Sequence, residues 1–179
     1  MTDKAISEPI ATAVSLASAR IAARANGTDL DTAIEDRVRS ITSEAEQITR
    51  RAFITRPRRV TLDAFPDAIR LEVSPVASVT SVKYFDEGGV ERTLAPADYD
   101  VDLVSEPAYI VPAVGKSWPS TLDRINVVNI EYVAGYGASD AATPPGVKGY
   151  ILARVEEFFG HAEPSPHVER ALDSYKVVG

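Results

Sequence analysis

The chain has 179 residues, a net charge of −7 and no cysteine, a length that fits one domain or one domain with an insertion. The lack of cysteine excludes disulfides, thiolate metal sites and cysteine nucleophiles. There is no run of 18 apolar residues and no basic segment followed by an apolar one at the start, so we expect neither a membrane span nor a secretory signal.

The charge is uneven along the chain. Residues 1–60 carry 10 basic and 8 acidic side chains, whereas residues 61–144 carry 5 and 13. An acidic middle argues against a general nucleic-acid binder, because phosphate contacts require a basic face. The basic first third leaves a local contact with nucleic acid open.

Two helices are predicted before residue 57. The first covers residues 15–24, with Ser15 as its N-cap and Asn26-Gly27 as its end. The second has Asp29 or Asp31 as its N-cap and carries apolar residues at spacings of four and three, which is typical of an amphipathic helix. These residues are Ile34, Val38, Ile41, Ala45 and Ile48.

From Arg58 onward the period changes to the alternation of half-buried strands. Residues 60–62, 69–73, 79–85 and 90–94 follow this pattern, and Asp86–Gly89 between the last two is a hairpin signal. Segments 99–103, 109–112 and 125–133 supply further strands. The pattern predicts an antiparallel sheet or sandwich of about five to seven strands.

A last helix is predicted before residue 160, with Thr143 as its cap and Gly160 as its end. Its apolar face comprises Val147, Tyr150, Ile151, Val155, Phe158 and Phe159. The fold class is therefore α+β, with N- and C-terminal helices forming a small helical bundle and an antiparallel β region inserted between them. The expected limits are 1–57 for the N-terminal helices, 58–140 for the β region, 141–160 for the C-terminal helix and 161–179 for a C-terminal tail.

An ordered set of short motifs resembles the head–tail connector, or adaptor, family of tailed siphophages, which includes the adaptors of gene transfer agents. The resemblance covers residues 15–160. Its motifs are Arg51-Ala52-Phe53-Ile54-Thr55 after the second helix, Phe65-Pro66, the run from Pro75 to Tyr84, Tyr99 in an acidic strand, Trp118-Pro119, and the run from Ile130 to Gly137.

The resemblance implies a non-enzymatic structural subunit without a cofactor. Members of the family form a ring, usually a dodecamer, that binds under the portal protein after DNA packaging. Their helices build the ring, the C-terminal segment reaches toward the portal, and the far side receives a stopper or tail-completion protein. DNA would pass through the lumen without specific binding. The expected location is the head–tail junction of a virion assembled in the host cytoplasm, and both an infectious phage and a gene transfer particle fit.

Five arginines within ten residues form the first candidate contact surface: Arg50, Arg51, Arg56, Arg58 and Arg59. Guanidinium groups suit an acidic portal surface or DNA in the ring lumen. We favour the protein partner, since a lumen that passes DNA should not grip it. The alternative is that these charges complement the helix dipole and solvate the start of a strand.

Asp98, Asp100 and Asp102 alternate and should share one strand face. A calcium loop would need a glycine and a distal glutamate that are missing here. A solvated sheet face is the simplest interpretation. A subunit–subunit contact with the basic stretch is the functional hypothesis, because rings join unlike surfaces of identical chains.

The last residues are apolar and β-prone. Leu172, Tyr175, Lys176 and Val177 could form a docking peptide for the portal, whereas the alternative is a frayed terminus.

Two other function classes stay open. A hydrolase would use His161 or His167 with a nearby carboxylate, although no nucleophile elbow, phosphate loop or zinc motif is present. A β-rich module that binds carbohydrate or protein would present an aromatic platform of Tyr84, Tyr109 and Trp118.

Overall fold

The computed structural model describes residues 1–160, 162–163 and 165–177. The fold is mixed α/β, with four α-helices and two antiparallel sheets in this part of the chain. The described residues divide into two compact units. The first, here called the β unit, comprises residues 1–8 and 56–135, and the second, the helical unit, comprises residues 9–55 and 136–177.

The β unit contains both sheets. The five-stranded sheet has the order β1-β2-β8-β4-β5, formed by Thr2–Ala5, Arg56–Leu62, Val128–Ala134, Val76–Phe85 and Glu91–Thr93. The three-stranded sheet has the order β3-β7-β6, formed by Ile69–Leu71, Ala108–Pro112 and Tyr99–Asp102. Every neighbouring pair is antiparallel. The turn at residues 86–89 connects β4 to β5, which confirms the predicted hairpin.

Alternation explains which face of each strand is buried. Along β8, every second residue from Val128 to Ala134 is buried, and the residues between them are half-buried. Ile69, Leu71 and Ile110 are fully buried in the smaller sheet. Strand β1 was not predicted, because Thr2–Ala5 has no apolar alternation of its own and is defined by its pairing with β2.

The helical unit surrounds one apolar core. Helices α1 (Leu16–Ala22), α2 (Asp31–Thr49) and α3 (Pro145–Phe158) contact one another pairwise, and the short α4 (Pro166–Arg170) contacts α3. Ile34, Val38, Ile41 and Ala45 are buried, which confirms most of the predicted stripe on α2. The core also includes Phe53, Val147, Ile151, Val155 and Leu172. None of the described helices combines the length and apolar character needed to cross a membrane.

Several helix details correct the expectations. Ile48 is 43% exposed and Thr49 is buried in its place, because a straight helix of 3.6 residues per turn drifts away from a strict heptad stripe. Asp31 is the first helical residue rather than a cap, and its carboxylate pairs with Arg20 instead. Thr143 is buried without capping α3, and Pro144 holds the N-cap position.

The ends of α1 and α3 are close to expectation. The Ser15 side chain accepts a hydrogen bond from the Ser18 N–H at 3.1 Å, which confirms it as the N-cap. Gly160 follows α3 with a φ of 75°, as expected for a residue that ends a helix. The prediction that Phe158 belongs to the apolar face of α3 is wrong, since its side chain is mostly exposed and lies beneath the guanidinium of Arg37.

Candidate functional site: the end of α2 and the C-terminal segment

The end of α2 brings together two groups of residues that the sequence analysis proposed as partner contacts. Arg50 adopts a left-handed conformation, with a φ of 54°, and its N–H donates to the carbonyl of Glu46. The Glu46 carboxylate accepts the N–H of Phe53 at 2.8 Å. The chain therefore leaves the helix in a defined direction, with Arg50 exposed and Arg51 half-buried.

The C-terminal segment lies against this helix end. The Val177 N–H donates to the carbonyl of Thr49 at 3.0 Å, and the Nε–H of Arg51 donates to the carbonyl of Tyr175 at 2.5 Å. The guanidinium of Arg51 also lies 6.0 Å from the ring centroid of Tyr136. The side chain of Arg51 thus binds the main chain of the C-terminal segment.

Side chains of the segment contribute to the core of the helical unit. Leu172 is fully buried and Val177 is almost so. The Tyr175 ring lies over Gly146 in the first turn of α3, where a β-carbon would come within 2.7 Å of the tyrosine oxygen. Lys176 is exposed and pairs with Asp173 at 2.6 Å. Of the predicted docking tail, residues 161, 164, 178 and 179 lie outside the described residues.

The other three arginines belong to β2 in the β unit. Arg58 and Asp3 form a largely buried ion pair at 2.9 Å, with side chains only 11% and 9% exposed. The hydroxyl of Tyr132 donates to the same carboxylate at 2.5 Å. Burial raises the pKa of Tyr132 far above its usual value, and the charge on Asp3 raises it further. The cluster attaches β1 to the rest of the sheet.

Arg59 and Arg56 occupy different faces of β2. Arg59 is exposed and pairs with Glu131 of β8 at 2.5 Å. The two residues are directly opposite each other in the register of β2 and β8. Arg56 is almost fully buried at the start of the strand. The run of five arginines is therefore divided between the two units, and it includes at least two side chains that bind carboxylates of their own chain.

The acidic residues lie at the edge of the smaller sheet. Asp98 ends a 3₁₀ turn before β6 and pairs with Lys116 at 3.3 Å. Asp100 is exposed on β6. Asp102 accepts the N–H groups of Val104 and Ser105, and hydrogen bonds led by the one from the Ser105 side chain hold its pKa below the usual range.

The residues of the alternative functions are dispersed. His161 lies outside the described residues, and His167 is exposed on α4. Among the described residues, no group of three or more histidines and carboxylates is arranged to hold a metal ion. Trp118 stacks on Phe65 with ring centroids 4.8 Å apart, and Phe65 meets the ring of Tyr84 edge-on at 5.7 Å. Tyr109 belongs to the other sheet.

Sequence reasoning missed four residues that matter for these contacts: Asp3, Thr49, Tyr132 and Gly146. Asp3 and Tyr132 are 129 positions apart, so only the pairing of β1, β2 and β8 brings them together. Only Gly146 could have been noticed in the sequence. A glycine inside a helix is unfavourable and often marks a place where another group packs closely against the backbone.

No protein-family model matches the sequence, and no curated protein matches it. Solved structures do match. A chain in the neck of an empty gene transfer agent particle, computed with C6 symmetry, is 23% identical with a TM-score of 0.84, over 100% of this chain and 97% of that one. A chain in the virion of a native gene transfer agent particle is 24% identical with a TM-score of 0.83, over the same shares.

A third similar chain comes from the neck of a native gene transfer agent particle, computed with C12 symmetry. It is 24% identical with a TM-score of 0.74 and again covers 100% of this chain and 97% of that one. At such identities the likeness establishes a shared fold, and it extends over nearly the whole of both chains.

Proposed function

We propose that this chain is a structural, non-enzymatic head–tail adaptor subunit of a phage or gene transfer particle. The observation that carries the proposal is the fold likeness to chains of gene transfer agent necks, at TM-scores up to 0.84 over the complete chain. Fold likeness alone does not carry function. The ordered motifs between residues 15 and 160 supply the second, independent support.

In this proposal the chain forms a ring, a dodecamer, beneath the portal protein and links it to a stopper or tail-completion protein. Support comes from the neck assemblies that hold similar chains, which were computed with C6 and C12 symmetry. The helices of the helical unit would form the bundle that builds the ring, with the β region inserted between them. DNA would pass through the lumen without specific binding, in a virion assembled in the host cytoplasm.

The portal contact is assigned to the C-terminal segment and the arginines near the end of α2. Leu172, Tyr175 and Val177 now cover their own helical unit, so a portal could receive these side chains only after the segment leaves Thr49 and Arg51. Lys176 and Arg50 are already exposed there. Arg56, Arg58 and Arg59, which belong to the β unit, remain candidates for a partner contact of that unit.

The test is negative-stain imaging and native mass spectrometry of the full chain with the portal protein of its own particle. We expect rings of this subunit stacked on the portal. The absence of portal binding at any concentration would contradict the adaptor function. A single chain that is monomeric without the portal would not, because assembly on the portal is part of the proposal.

The contact residues are tested separately by two variants. A chain ending at Leu172 keeps that buried leucine but lacks Tyr175–Val177, and we expect weaker portal binding. Unchanged binding would remove the segment from the contact. Arg50→Glu should weaken binding, whereas Arg124→Glu, an equal charge change at an exposed residue of the β unit, should not.

A further inference from the structure

Among the described residues, two four-residue strands end their sheets with one side unpaired. There, strand β1 pairs only with β2, and β6 pairs only with β7. An open edge offers unpaired N–H and C=O groups to another strand. An open groove lined by Thr2, Lys4, Arg59, Thr61 and Asn126 lies on the face that β1 and β2 share, which leaves the side chain of Lys4 accessible.

The two edges carry opposite charges on their outward faces. Lys4 is exposed on β1, whereas Asp100 and Asp102 are exposed on β6. Within the described part of the chain, the side chains of Lys4 and Asp100 have no hydrogen-bond or ion-pair partner. The two remaining edges differ, because Arg92 on β5 binds Asp86 at 2.8 Å and Arg70 on β3 lies 3.3 Å from Glu72.

We propose that the β1 edge of one copy pairs with the β6 edge of a second copy, so that Lys4 lies beside Asp100. Directly opposed residues of paired strands point to the same face, so outward residues meet outward residues. Like charges oppose the pairing of two β6 edges, since Asp100 would face Asp100 or Asp102. The contact therefore joins two different surfaces, one on each of two identical copies.

A contact between unlike surfaces repeats from copy to copy and closes into a ring when the rotation allows. In this respect the inference rests on the proposed ring, and it refines the acidic contact suggested by the sequence. The basic partner of Asp100 becomes Lys4 rather than the arginines of residues 50–59. Arg58 and Arg59 already bind Asp3 and Glu131 within their own chain.

Cysteine cross-linking tests the geometry directly, because the natural chain has no cysteine. Lys4→Cys and Asp100→Cys proteins are purified separately, mixed, with and without the portal, and oxidised. We expect mixed disulfides between the two proteins in clear excess over either self-disulfide. Equal yields of all three products, or no product, would overturn the pairing.

Charge reversal tests the energetics. Lys4→Glu and Asp100→Lys should each weaken self-association about tenfold, from the loss of one cross-strand attraction and its replacement by repulsion. The double variant should recover most of the loss. Lys83→Glu makes the same charge change on β4, away from both edges and beside Glu91, and this control should associate like the natural chain. Lack of recovery in the double variant would contradict the pairing.

The outcomes separate this inference from the adaptor function. Rings on the portal without mixed disulfides would overturn the edge pairing and leave the adaptor function standing. Mixed disulfides in a chain that never binds a portal would support the pairing and overturn the adaptor function. A chain that neither cross-links nor binds a portal would overturn both.

Discussion

The Nε–H of Arg51 donates a hydrogen bond to the main-chain oxygen of Tyr175, at 2.5 Å, across 124 positions of sequence. Both residues were proposed as contacts with a partner, and in the isolated chain they contact each other. The neighbouring bond from the Val177 N–H to the Thr49 carbonyl extends this attachment. If the C-terminal segment docks on another protein, these two bonds must break first.

Arg51→Ala should loosen the C-terminal segment. A hydrogen bond from a charged donor stabilises by about 1.5–3 kcal/mol, so the amide of Val177 should exchange with solvent about tenfold faster or more. Hydrogen exchange measured by NMR or mass spectrometry gives the rate. Arg170→Ala, an exposed arginine of α4, is the control and should leave the rate unchanged. Equal exchange in both variants would contradict the role of Arg51.

Two glycines of α3 should respond oppositely to alanine. At Gly149 an added β-carbon meets nothing within 4 Å, so Gly149→Ala should stabilise the helical unit by about 0.5–1 kcal/mol. At Gly146 the β-carbon would come 2.7 Å from the hydroxyl of Tyr175, so Gly146→Ala should displace that ring. Thermal unfolding followed by circular dichroism measures the stability, and limited proteolysis reports the release of the segment.

The Tyr175→Ala background completes this experiment. Without the ring, Gly146→Ala should lose its penalty and gain the same helix stabilisation as Gly149→Ala. A penalty that persists without Tyr175 would mean that the contact with this ring is not its cause.

Asp3→Ala should destabilise the β unit. It leaves the largely buried Arg58 without its carboxylate and the Tyr132 hydroxyl without its acceptor, at a cost of about 3 kcal/mol. Tyr132→Phe removes only one hydrogen bond and should cost about 1 kcal/mol. The single tryptophan, Trp118, belongs to the β unit, so urea unfolding followed by its fluorescence reports on this unit.

A matched control separates this cluster from a general effect of charge removal. Asp100→Ala removes an exposed carboxylate from the same unit and should change its stability little. Equal losses from Asp3→Ala and Asp100→Ala would argue against a special role for the buried ion pair.

Tyr132 should make the β unit sensitive to high pH. Burial first, and the Asp3 carboxylate second, raise its pKa in the folded protein above the ordinary value near 10. The unfolded state therefore loses this proton at a lower pH than the folded state. The stabilisation is complete below about pH 10 and declines as the pH rises further.

Absorbance at 295 nm checks this behaviour during an alkaline titration. The chain has 7 tyrosines, and Tyr132 should ionise only as the β unit unfolds. Phenylalanine has no proton to lose at this position. The stability of Tyr132→Phe, compared with its own value at neutral pH, should therefore decline less at alkaline pH than that of the natural chain. A titration of all tyrosines before any loss of tryptophan signal would contradict the prediction.

Periodicity accounts for the parts of the fold that could be predicted. The stripe from Ile34 to Ala45 and the alternation along β8 are local patterns, and both are buried as expected. Ile48 was wrongly predicted to be buried, because an apolar stripe drifts around a straight helix with length. Thr143 was wrongly predicted to cap α3, because a cap depends on the backbone conformation where the chain enters the helix. Strand β1 had no local pattern at all.

The candidate contacts were harder to predict than the fold. Residue type marked the arginines and aspartates as candidate contacts with other subunits, but it could not say which groups of their own chain they bind. Arg58 binds a carboxylate 55 positions away, and Arg59 binds one 72 positions away. Such pairs exist only once antiparallel strands are in register.

The sequence by itself determined the order of helices and strands, the uneven charge and the motifs that resemble an adaptor family. Each of these depends on residues that are close in the chain, where side-chain period and turn chemistry act directly. Only the tertiary structure decided that the C-terminal segment covers its own helix and that Arg58 is buried with Asp3. It also left Lys4 and Asp100 exposed on two open strand edges. Those outcomes depend on which distant segments pack together, and local sequence does not specify that.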